Sequence, residues 1–392
     1  MKCNKIMLLN LGSTSFKYRL LDYTKEQHAV SEGSIECRRN GNFKLRIGDE
    51  KLKGQKDLLN CMDAFEFCVS LLVDRNIWNG IQDLDALGYK AVHAGPITGT
   101  MLIDEEVINT MKEFVPFAPA HNTVYLEMIC NIRDQYPNLL QIARFETSFH
   151  QTIPRYRKVY GVPNDWEQKF GIHRYGFHGS SHEYIATRML ELQPEAKKVV
   201  SIHLGGSCSL CAINDGKSIA SSMGATPQGG LFQNNRVGDF DVFCLPFLVE
   251  KYGNLTEVMR ILSAESGLKG LSGVSNDIRV VIAEAENGNS QAKLAIDAFV
   301  DNIVGYIGMF VAYLGGLDAI VFTGGIGENC ELLREQVCER LSCFDVELDK
   351  TDHDDTEDIK LSSSSSRVSV WVVKANEEFI LEKHVRSYLQ QI

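Results

Sequence analysis

The sequence lacks long apolar stretches and an excess of positive charge, and each shortage excludes a class of protein. No apolar run approaches the roughly 20 residues of a membrane-spanning helix, and the start, MKCNKIMLLNLG, becomes polar too early for a signal peptide. Lys and Arg number 40 against 51 Asp and Glu, so the formal net charge is −11. We therefore expect a cytoplasmic protein without nucleic-acid or membrane partners, which holds any anionic ligand at a local basic site.

Disulfide bonds are also unexpected, although the chain has 11 cysteines. The number is odd, and the cysteines are scattered through a sequence without a secretory signal, which is typical of a reducing compartment. Cys208 and Cys211 form a C-x-x-C motif, but in a strand they would point to opposite faces. No second cysteine or histidine pair at metal-binding spacing accompanies them. We interpret them as buried thiols.

Two hairpins with hydroxyl-rich turns occur about half a chain apart. Residues 6–11 form a short apolar run, and NLGSTSFKYRLLD at 10–22 provides a Gly/Ser turn and an alternating return strand. The same plan recurs over 199–213 as VVSIHLGGSCSLCAI. This recurrence predicts a duplicated α/β domain in which each copy supplies one wall of a cleft. Apolar residues at spacings of three and four predict helices over 102–115 and 124–133, and 289–314 is a long helix candidate. An asparagine followed by two glutamates indicates the start of a C-terminal helix over 376–391.

Glycine-rich turns offer backbone amides to an anion. Glycine has no Cβ, so its backbone approaches a phosphate closely, and serine and lysine side chains add donors and charge. Such turns lie at 10–17, 203–209, 271–279 and 323–329. None is a Walker or dinucleotide fingerprint, and each alone has the sequence of an ordinary turn. Together they favour a nucleotide or polyphosphate held in a cleft.

Histidines are concentrated in segments that look like motifs. Seven of the ten lie in AVHAG, FAPAHN, FETSFHQT, HRYGFHGSSHEY and HLGG. A lone histidine beside an apolar run is usually a core residue. A cluster of histidines together with Arg236, in NNRVGDFD, is instead typical of a set of donors for an oxyanion or a phosphoryl group.

Taken in order, these segments resemble the acetate kinase family. The resemblance is carried by NLGSTSFKYRL, FAPAHN, RYGFHGSSH, HLGGSCSLCAI, MGATPQGGLFQNNRVGDFD, SGVSNDIR, FTGGIGEN and ANEE, which span nearly the whole chain. That family belongs to the superfamily of sugar kinases, Hsp70 and actin. The resemblance implies two duplicated actin-like (ribonuclease H-like) domains around a central cleft. The N-terminal domain is expected at 1–148, joined by a C-terminal helix at 380–392, and the nucleotide-binding domain at 149–379.

The resemblance also implies an activity and assigns roles to residues. We expect a homodimer that transfers a phosphoryl group reversibly between ATP and a short carboxylate such as acetate, with Mg²⁺ or alternatively Mn²⁺. The implied metal ligands are Asn10 and Glu377, and the implied catalytic residues are Glu146, His178, Arg236 and His121. The implied substrate residues are Lys90, Val92, Ala120, Phe177 and Pro227. The implied nucleotide residues are Lys17, Gly205, Gly206, Ser207, Cys208, Ser209, Asp277, Ile278, Arg279, Gly325, Ile326, Gly327, Glu328 and Asn329. This chemistry needs positioning and charge neutralisation but no covalent nucleophile.

Several positions depart from the family pattern. Lys90 replaces an arginine at the substrate carboxylate, and an ammonium is a point charge where a guanidinium grips with two hydrogen bonds. Glu146 replaces an aspartate, so a shorter cation and a longer carboxylate either compensate each other or admit a different substrate. Gly206 stands where an asparagine meets phosphate, and Ser207 is expected to return that donor. Ala120 replaces a leucine, which predicts a larger substrate pocket.

These departures leave three readings open. The first is an ATP-dependent acetate kinase. The second is a kinase for a longer acid such as propionate, or for a phosphoryl donor other than ATP. The third is a weakly catalytic relative that binds a metabolite and acts through a partner. Intact Asn10, His178, Arg236 and Glu377 argue against the third, because a decayed site has no reason to keep its phosphoryl-handling groups together.

Overall fold

The computed structural model describes residues 4–349 and 358–392, which are arranged in two compact units. Unit 1 comprises Met1–Ser148 and Glu377–Ile392, and unit 2 comprises Phe149–Asn376. Each unit contains one β-sheet and its own hydrophobic core.

The strands of unit 1 precede those of unit 2 along the chain. They are β1 (Lys5–Gly12), β2 (Ser15–Asp22), β3 (Ala29–Glu36), β4 (Arg38–Ile47), β5 (Glu50–Leu58), β6 (Ala86–Ala91), β7 (Thr100–Leu102) and β8 (Leu140–Phe145). Those of unit 2 are β9 (Lys198–Leu204), β10 (Cys208–Asn214), β11 (Lys217–Ser221), β12 (Ala319–Thr323), β13 (Ile359–Lys360) and β14 (Ser369–Val372).

The helices are distributed between the same two units. They are α1 (Cys61–Asp74), α2 (Glu105–Glu113), α3 (Pro119–Gln135), α4 (Arg155–Lys158), α5 (Asp165–Phe170), α6 (Gly179–Leu192), α7 (Leu245–Tyr252), α8 (Leu255–Ala264), α9 (Gly267–Ser272), α10 (Ile278–Glu286), α11 (Ser290–Leu314), α12 (Gly324–Asn329), α13 (Glu331–Glu339) and α14 (Glu377–Leu389). The first three and α14 belong to unit 1, and the others belong to unit 2.

The sheet of unit 1 has eight strands in the order β5-β4-β3-β2-β1-β6-β8-β7. Strand β1 pairs antiparallel with β2 and parallel with β6, and β6 pairs parallel with β8. Side chains alternate along a strand, so these central strands serve a core on each face. Leu9 and Tyr89 face the core shared with α1 and α3, whereas Leu8 and Ala86 face α14. At the ends of β1 and β6, the same alternation decides which side chains lie on the α14 face of the sheet and which lie on the opposite face.

The sheet of unit 2 repeats this plan with six strands, in the order β11-β10-β9-β12-β14-β13. Strand β9 pairs antiparallel with β10 and parallel with β12, which pairs parallel with β14. The larger core lies against α11, and the opposite face of the sheet packs against α6. The prediction of a duplicated α/β domain built on two hairpins is therefore confirmed. Cys208 and Cys211 lie in these two different cores, which confirms that they point to opposite faces of β10.

Helix α11 is long and apolar enough, by length and composition alone, to cross a membrane. No apolar run of this length is visible in the sequence because the charged residues Lys293, Asp297 and Asp301 interrupt the apolar residues of the helix. One face of the helix, including Phe299 and Ile303, is buried in the larger core of unit 2. Burial in a protein core accounts for the apolar composition of this helix.

Candidate active site

The end of the β1–β2 hairpin carries the predicted metal ligand and a lysine side by side. Asn10 and Lys17 are partners in the antiparallel register, so their side chains leave the same face of the hairpin. The β1–β6 register pairs Leu9 with Tyr89, which places Asn10 beside Lys90 one residue further along. Leu9 and Tyr89 face the core with α1 and α3, so alternation turns Asn10 and Lys90 toward the face on which α14 packs.

Lys90 lies between two carboxylates on this face, and we call Lys90, Glu146 and Glu377 the charged triad. The Lys90 Nζ atom lies 2.5 Å from Glu377 Oε2 and 3.8 Å from Glu146 Oε2. The side chains of Lys90, Glu377 and Glu146 are only 14%, 15% and 5% exposed. Burial disfavours the ammonium form, but the two carboxylates outweigh burial and raise the pKa of Lys90 above its usual value. Lys90 is therefore a permanent cation at neutral pH.

Strand ends and a helix start bring the triad together. Lys90 is the penultimate residue of β6, Glu146 directly follows β8, and Glu377 is the first residue of α14. The Glu146 backbone N–H donates to the Ala91 carbonyl at 2.9 Å, which extends the pairing of the two strands and fixes Glu146. The start of a helix also favours the negative charge of Glu377. Contact between the shorter cation and the longer carboxylate agrees with the compensation that the sequence suggests.

Arg236 of unit 2 is a half-buried cation held by neutral oxygens. Its Nη1 atom lies 3.2 Å from Ser207 Oγ, 3.3 Å from the Pro227 carbonyl and 3.3 Å from Gln233 Oε1. Burial lowers the pKa of Arg236, and no carboxylate of the described residues offsets that effect. A guanidinium nevertheless keeps its proton in a protein. A shielded positive charge without a carboxylate partner favours the binding of an anion.

Ser207 and Gly206 lie in the loop where the family pattern has an asparagine. The Ser207 hydroxyl donates to Gln233 Oε1 at 2.8 Å and accepts from Arg236. In the absence of a ligand the hydroxyl proton of Ser207 is thus directed to Gln233, and the role of Ser207 as a phosphate donor stays a prediction. A Cβ at position 206 would meet no atom within 4 Å, so a side chain there has room.

His178 precedes α6 in the left-handed backbone region, with φ 55° and ψ 31°. This conformation is costly for a residue other than glycine, and such strain is concentrated at functional sites. The His178 Nδ1 atom contacts Ser209 Oγ at 2.7 Å, and the same hydroxyl contacts His182 Nε2 at 2.8 Å. The rings of His178 and His203 lie 4.4 Å apart. Both the backbone conformation and the side-chain contacts of His178 thus fix the orientation of its ring.

His182 shares with His178 a contact to the hydroxyl of Ser209. Burial, together with the nearby His150 and His203, lowers the pKa of His182 well below its usual value, so the ring is neutral. Its Nδ1 lies 2.8 Å from Ser201 Oγ. Ser209 has one hydroxyl proton, so if His182 Nε2–H donates to it, Ser209 donates to His178 Nδ1. In that arrangement His178 Nδ1 accepts from Ser209, which fixes the orientation of the His178 ring.

A pocket of about 560 Å³ lies within unit 2, where glycine turns of the predicted phosphate-binding type converge. Its lining is Gly205, Gly206, Asn234, Asn276, Asp277, Ile278, Arg279, Gly325, Ile326, Asn329 and Cys330. Gly324, with φ 79°, allows the end of β12 to approach β9, because a Cβ there would lie 2.7 Å from the Leu204 carbonyl. The volume is typical of a pocket for a ligand of nucleotide size.

Not every predicted nucleotide residue lines this pocket. Those outside the lining are Lys17, which belongs to unit 1, and Ser207, Cys208, Ser209, Gly327 and Glu328. Burial raises the pKa of Cys208 to about 12, which makes it an unreactive thiol. The Glu328 carboxylate accepts the backbone N–H groups of Gly324 and Ala375, both at 2.9 Å, so it fixes the turn.

Sequence reasoning missed Asn234, Asn276 and Cys330 in the lining. The two asparagines fall inside NNRVGDFD and SGVSNDIR, and Cys330 directly follows FTGGIGEN. The motifs were therefore the available signal, but they do not say which side chains of a turn face the pocket. Asp277, which was singled out, caps α10 and accepts from Arg279 Nε at 3.0 Å. It thereby holds the guanidinium of Arg279 in place at the pocket.

The residues predicted to bind the substrate carboxylate or to act near it are distributed between the two units. Val92, Ala120 and His121 are in unit 1, and Phe177 and Pro227 are in unit 2. Ala120 is exposed in the first turn of α3, and the next residue, His121, is half-buried. Phe177 and Pro227 are buried. Two of the predicted apolar substrate residues thus come from each unit.

The residues proposed as metal ligands suit a sparsely coordinated magnesium ion. Asn10 and Glu377 offer an amide oxygen and a carboxylate, and Mg²⁺ is commonly held by one or two carboxylates, waters and substrate phosphates. Across residues 4–349 and 358–392, no three His, Cys, Asp or Glu side chains form a group that could hold a metal. The donors present therefore fit Mg²⁺ bound jointly with a phosphate and do not form a closed protein cage.

Comparison with known proteins gives full-length matches. The sequence model of the Acetokinase family matches residues 5–383. The acetate kinase of Halothermothrix orenii is 37% identical over 392 residues, which cover 97% of this chain and 98% of that protein. The acetate kinase of Dictyoglomus thermophilum is 38% identical over 393 residues, with 97% and 98% covered.

Solved structures agree with these sequence matches. Porphyromonas gingivalis acetate kinase superposes with a TM-score of 0.84 at 33% identity, covering 98% of this chain and 100% of that one. A propionate kinase from Francisella tularensis superposes with a TM-score of 0.87 at 32% identity, covering 97% and 98%. The resemblance read from the motifs is confirmed. This chain belongs to the Acetokinase family, whose members are phosphotransferases that use a carboxyl group as acceptor.

Proposed function

We propose that this chain catalyses Mg-dependent, reversible phosphoryl transfer between ATP and a short-chain carboxylate, acetate first, which gives the acyl phosphate and ADP. Family membership supports the reaction class. The structural observation that carries the proposal is Arg236, a half-buried guanidinium surrounded by neutral acceptors. Such a cation is suited to the charge that spreads over the equatorial oxygens of a transferring phosphoryl group.

His178 and Lys90 are the other two residues to which this mechanism gives a role in binding the reacting groups. His178 is proposed to contact the transferring phosphoryl group through its ring, whose orientation Ser209 fixes at Nδ1. Lys90 attracts the substrate carboxylate as a point charge. Transfer needs the acceptor oxygen, the phosphorus and the leaving oxygen in line, and no covalent enzyme intermediate.

Asn10 and Glu377 are the proposed holders of Mg²⁺, with Mn²⁺ as an alternative. When bound, the metal supplies positive charge to the phosphate oxygens. Lys17, the register partner of Asn10, offers a further positive charge on the same face of the hairpin. In this proposal the protein contributes only a few hard oxygen ligands to the metal, and the substrate phosphates contribute further ligands.

The phosphoryl donor is proposed to be ATP, bound in the pocket of unit 2. The pocket of about 560 Å³ exceeds the space that a small inorganic donor fills, and its lining combines glycine turns with Asn234, Asn276 and Asn329. Gly206 removes one side-chain donor from this lining but leaves the loop backbone available.

A longer acceptor is the second candidate, and the exposed side chain of Ala120 favours it. A methyl in place of the usual leucine leaves space for an extra methylene of substrate. The similarity to a propionate kinase structure is consistent with an acceptor of that size. A weakly catalytic role is disfavoured because Asn10, His178, Arg236 and Glu377, the groups that the proposed phosphoryl transfer needs, are all present.

The test is hydroxylamine trapping of acyl phosphate with acetate, propionate and butyrate, each combined with ATP, GTP and pyrophosphate. We expect acyl hydroxamate with ATP and acetate or propionate, and its loss when Mg²⁺ is chelated. Formation only with pyrophosphate would replace the donor assignment. No hydroxamate from any combination would contradict the proposed activity.

The protein is further proposed to be a cytoplasmic homodimer. Large exposed apolar side chains are concentrated in one segment of unit 2: Phe240, Val242, Phe243, Phe247, Tyr252, Leu255 and Met259. Phe243 is 87% exposed, and such a concentration is typical of a protein–protein interface. Light scattering should show a dimer that Phe243→Asp weakens, whereas a monomeric wild type would contradict this assignment.

A further inference from the structure

The charged triad places a cation on the carboxylate that the proposed metal needs. Lys90 Nζ lies 2.5 Å from Glu377 Oε2, the distance of a strong charge-assisted hydrogen bond. A magnesium ion bound directly to that oxygen would lie at about 2.1 Å. Two cations on one carboxylate oxygen repel each other, so direct metal binding at this oxygen requires Lys90 to move away.

We propose that Lys90 couples metal binding to carboxylate binding: it neutralises Glu377 until a metal takes that oxygen, and then pairs with the substrate carboxylate. This inference rests on the proposed function, because that function assigns the metal to Glu377 and the acceptor to Lys90. It adds that the two ligands bind cooperatively through one side chain.

Glu146 makes this exchange feasible. An ammonium that left Glu377 without another partner would be a shielded, unpaired charge, which is costly. Glu146 Oε2 already lies 3.8 Å from Lys90 Nζ, and its side chain is 5% exposed. Lys90 can therefore move away from Glu377 while it keeps one carboxylate nearby.

Lysine also suits an exchange of partners better than the arginine of the family pattern. The ammonium is compact, and its three donors rotate on a flexible stem, whereas a guanidinium is a rigid fork that prefers one bidentate partner. The two departures, Lys90 and Glu146, thus act together. One provides a cation that can change partners, and the other provides its fixed companion.

Thermodynamic linkage gives the consequence that can be measured. If an acceptor carboxylate draws Lys90 away from Glu377, it must tighten metal binding by the same factor by which the metal tightens carboxylate binding. Coupling between sites in proteins commonly lies in the range of about 5- to 150-fold.

The experiment is a titration of the nucleotide-free protein with Mn²⁺, followed by the electron paramagnetic resonance signal of free Mn²⁺, with and without saturating acetate. We expect acetate to lower the Mn²⁺ Kd of the wild type at least about fivefold. Lys90→Gln should bind Mn²⁺ at least about fivefold more tightly without acetate and show no acetate effect. Glu146→Gln should weaken Mn²⁺ binding, because Lys90 is then left to Glu377.

Lys112→Gln is the matched control, because it removes an equal charge from an exposed position of α2. It should behave as the wild type, and circular dichroism should show all variants folded. Equal Mn²⁺ Kd values in wild type and Lys90→Gln, an acetate effect that survives in Lys90→Gln, or no saturable Mn²⁺ binding would each overturn the inference. Acyl hydroxamate formation by the wild type tests the proposed function separately, so activity without coupling would refute this inference alone.

Discussion

The two units share the same order of sheet pairing, but the cation at the candidate site of each unit has a different kind of partner. Unit 1 pairs Lys90 with two carboxylates, whereas unit 2 surrounds Arg236 with the oxygens of Ser207, Pro227 and Gln233. In our proposal the first arrangement exchanges a cation for a metal, and the second presents a cation to the transferring phosphoryl group. The comparison teaches that the duplicated scaffold fixes where side chains emerge, and that the residues at those places decide which charge is bound.

The two hairpin ends show the same divergence at the level of the backbone. In unit 1 the register closes between Gly12 and Ser15, and the neighbouring strand positions present the side chains of Asn10 and Lys17. In unit 2 it closes between Leu204 and Cys208, and the loop between them presents glycine backbone to the pocket. One copy of the hairpin thus ends in polar side chains, and the other ends in glycines that line the pocket.

The largest expected effect comes from removing Arg236, to which the described residues of unit 2 offer neutral oxygens and no carboxylate. Arg236→Ala should lower kcat by ~10²–10³ with little change in the KM for acetate, because charge on the phosphoryl group peaks in the transition state. Initial rates of hydroxamate formation measure this. Arg340→Ala, at an exposed position of the same unit, is the control. Normal turnover of Arg236→Ala would remove this residue from the mechanism.

The next effect concerns stability, because unit 2 also buries neutral histidines. Burial lowers the pKa of His150 to about 4, below the ordinary value of 6.5. As the pH falls, His150 is protonated at a higher pH in the unfolded chain than in the folded protein. Its contribution to the free energy of unfolding is therefore fully present above pH 6.5 and is lost as the pH falls toward 4. This histidine alone should cost about 2 kcal/mol of unfolding free energy between pH 7.5 and pH 5.

Urea unfolding at several pH values measures this loss. His150→Gln should be less stable at pH 7.5, since it alters the contacts of the ring with Ser218 and the Phe177 carbonyl, but its stability should vary less with pH. Equal pH dependence in the variant and the wild type would show that His150 is not the group responsible.

A smaller effect is expected from the metal ligands of unit 1. Glu377→Gln and Asn10→Ala should raise the Mg²⁺ concentration for half-maximal activity about tenfold, because few protein oxygens hold the ion and each matters. Glu378→Gln, the adjacent acid of the same helix turn, should leave the requirement unchanged. An identical Mg²⁺ dependence in all variants would contradict the assignment of the metal to this face.

The smallest effect sharpens the question of substrate size. If Ala120 leaves space, each buried methylene is worth ~0.8 kcal/mol, or about fourfold in kcat/KM, so propionate should equal or exceed acetate. Ala120→Leu should restore a preference for acetate, whereas Thr123→Leu, at an exposed position of the same helix, should not. A tenfold preference for acetate that Ala120→Leu leaves unchanged would show that another group already fills the space.

Periodicity predicted the elements that position the site, and both hairpins and α11 are confirmed. Strand β5 received no prediction because its largely polar, exposed sequence, EKLKGQKDL, gives little apolar alternation. The family motifs pointed to the turns of the pocket but not to the direction of side chains such as Ser207. The contact between Lys90 and Glu377 joins residues 287 positions apart, so only the topology reveals it.

Helix α14 has a consequence for the order in which the protein is made. Its residues Leu381 and Val385 fill a core with Ile6 and Leu8, strand residues synthesised some hundreds of codons earlier. On the ribosome, which adds about 5–20 residues per second, this sheet face must wait for the whole of unit 2 before it is covered. Glu377 arrives with the same helix. A nascent chain can therefore complete the pocket of unit 2 before it acquires Glu377, the proposed metal ligand.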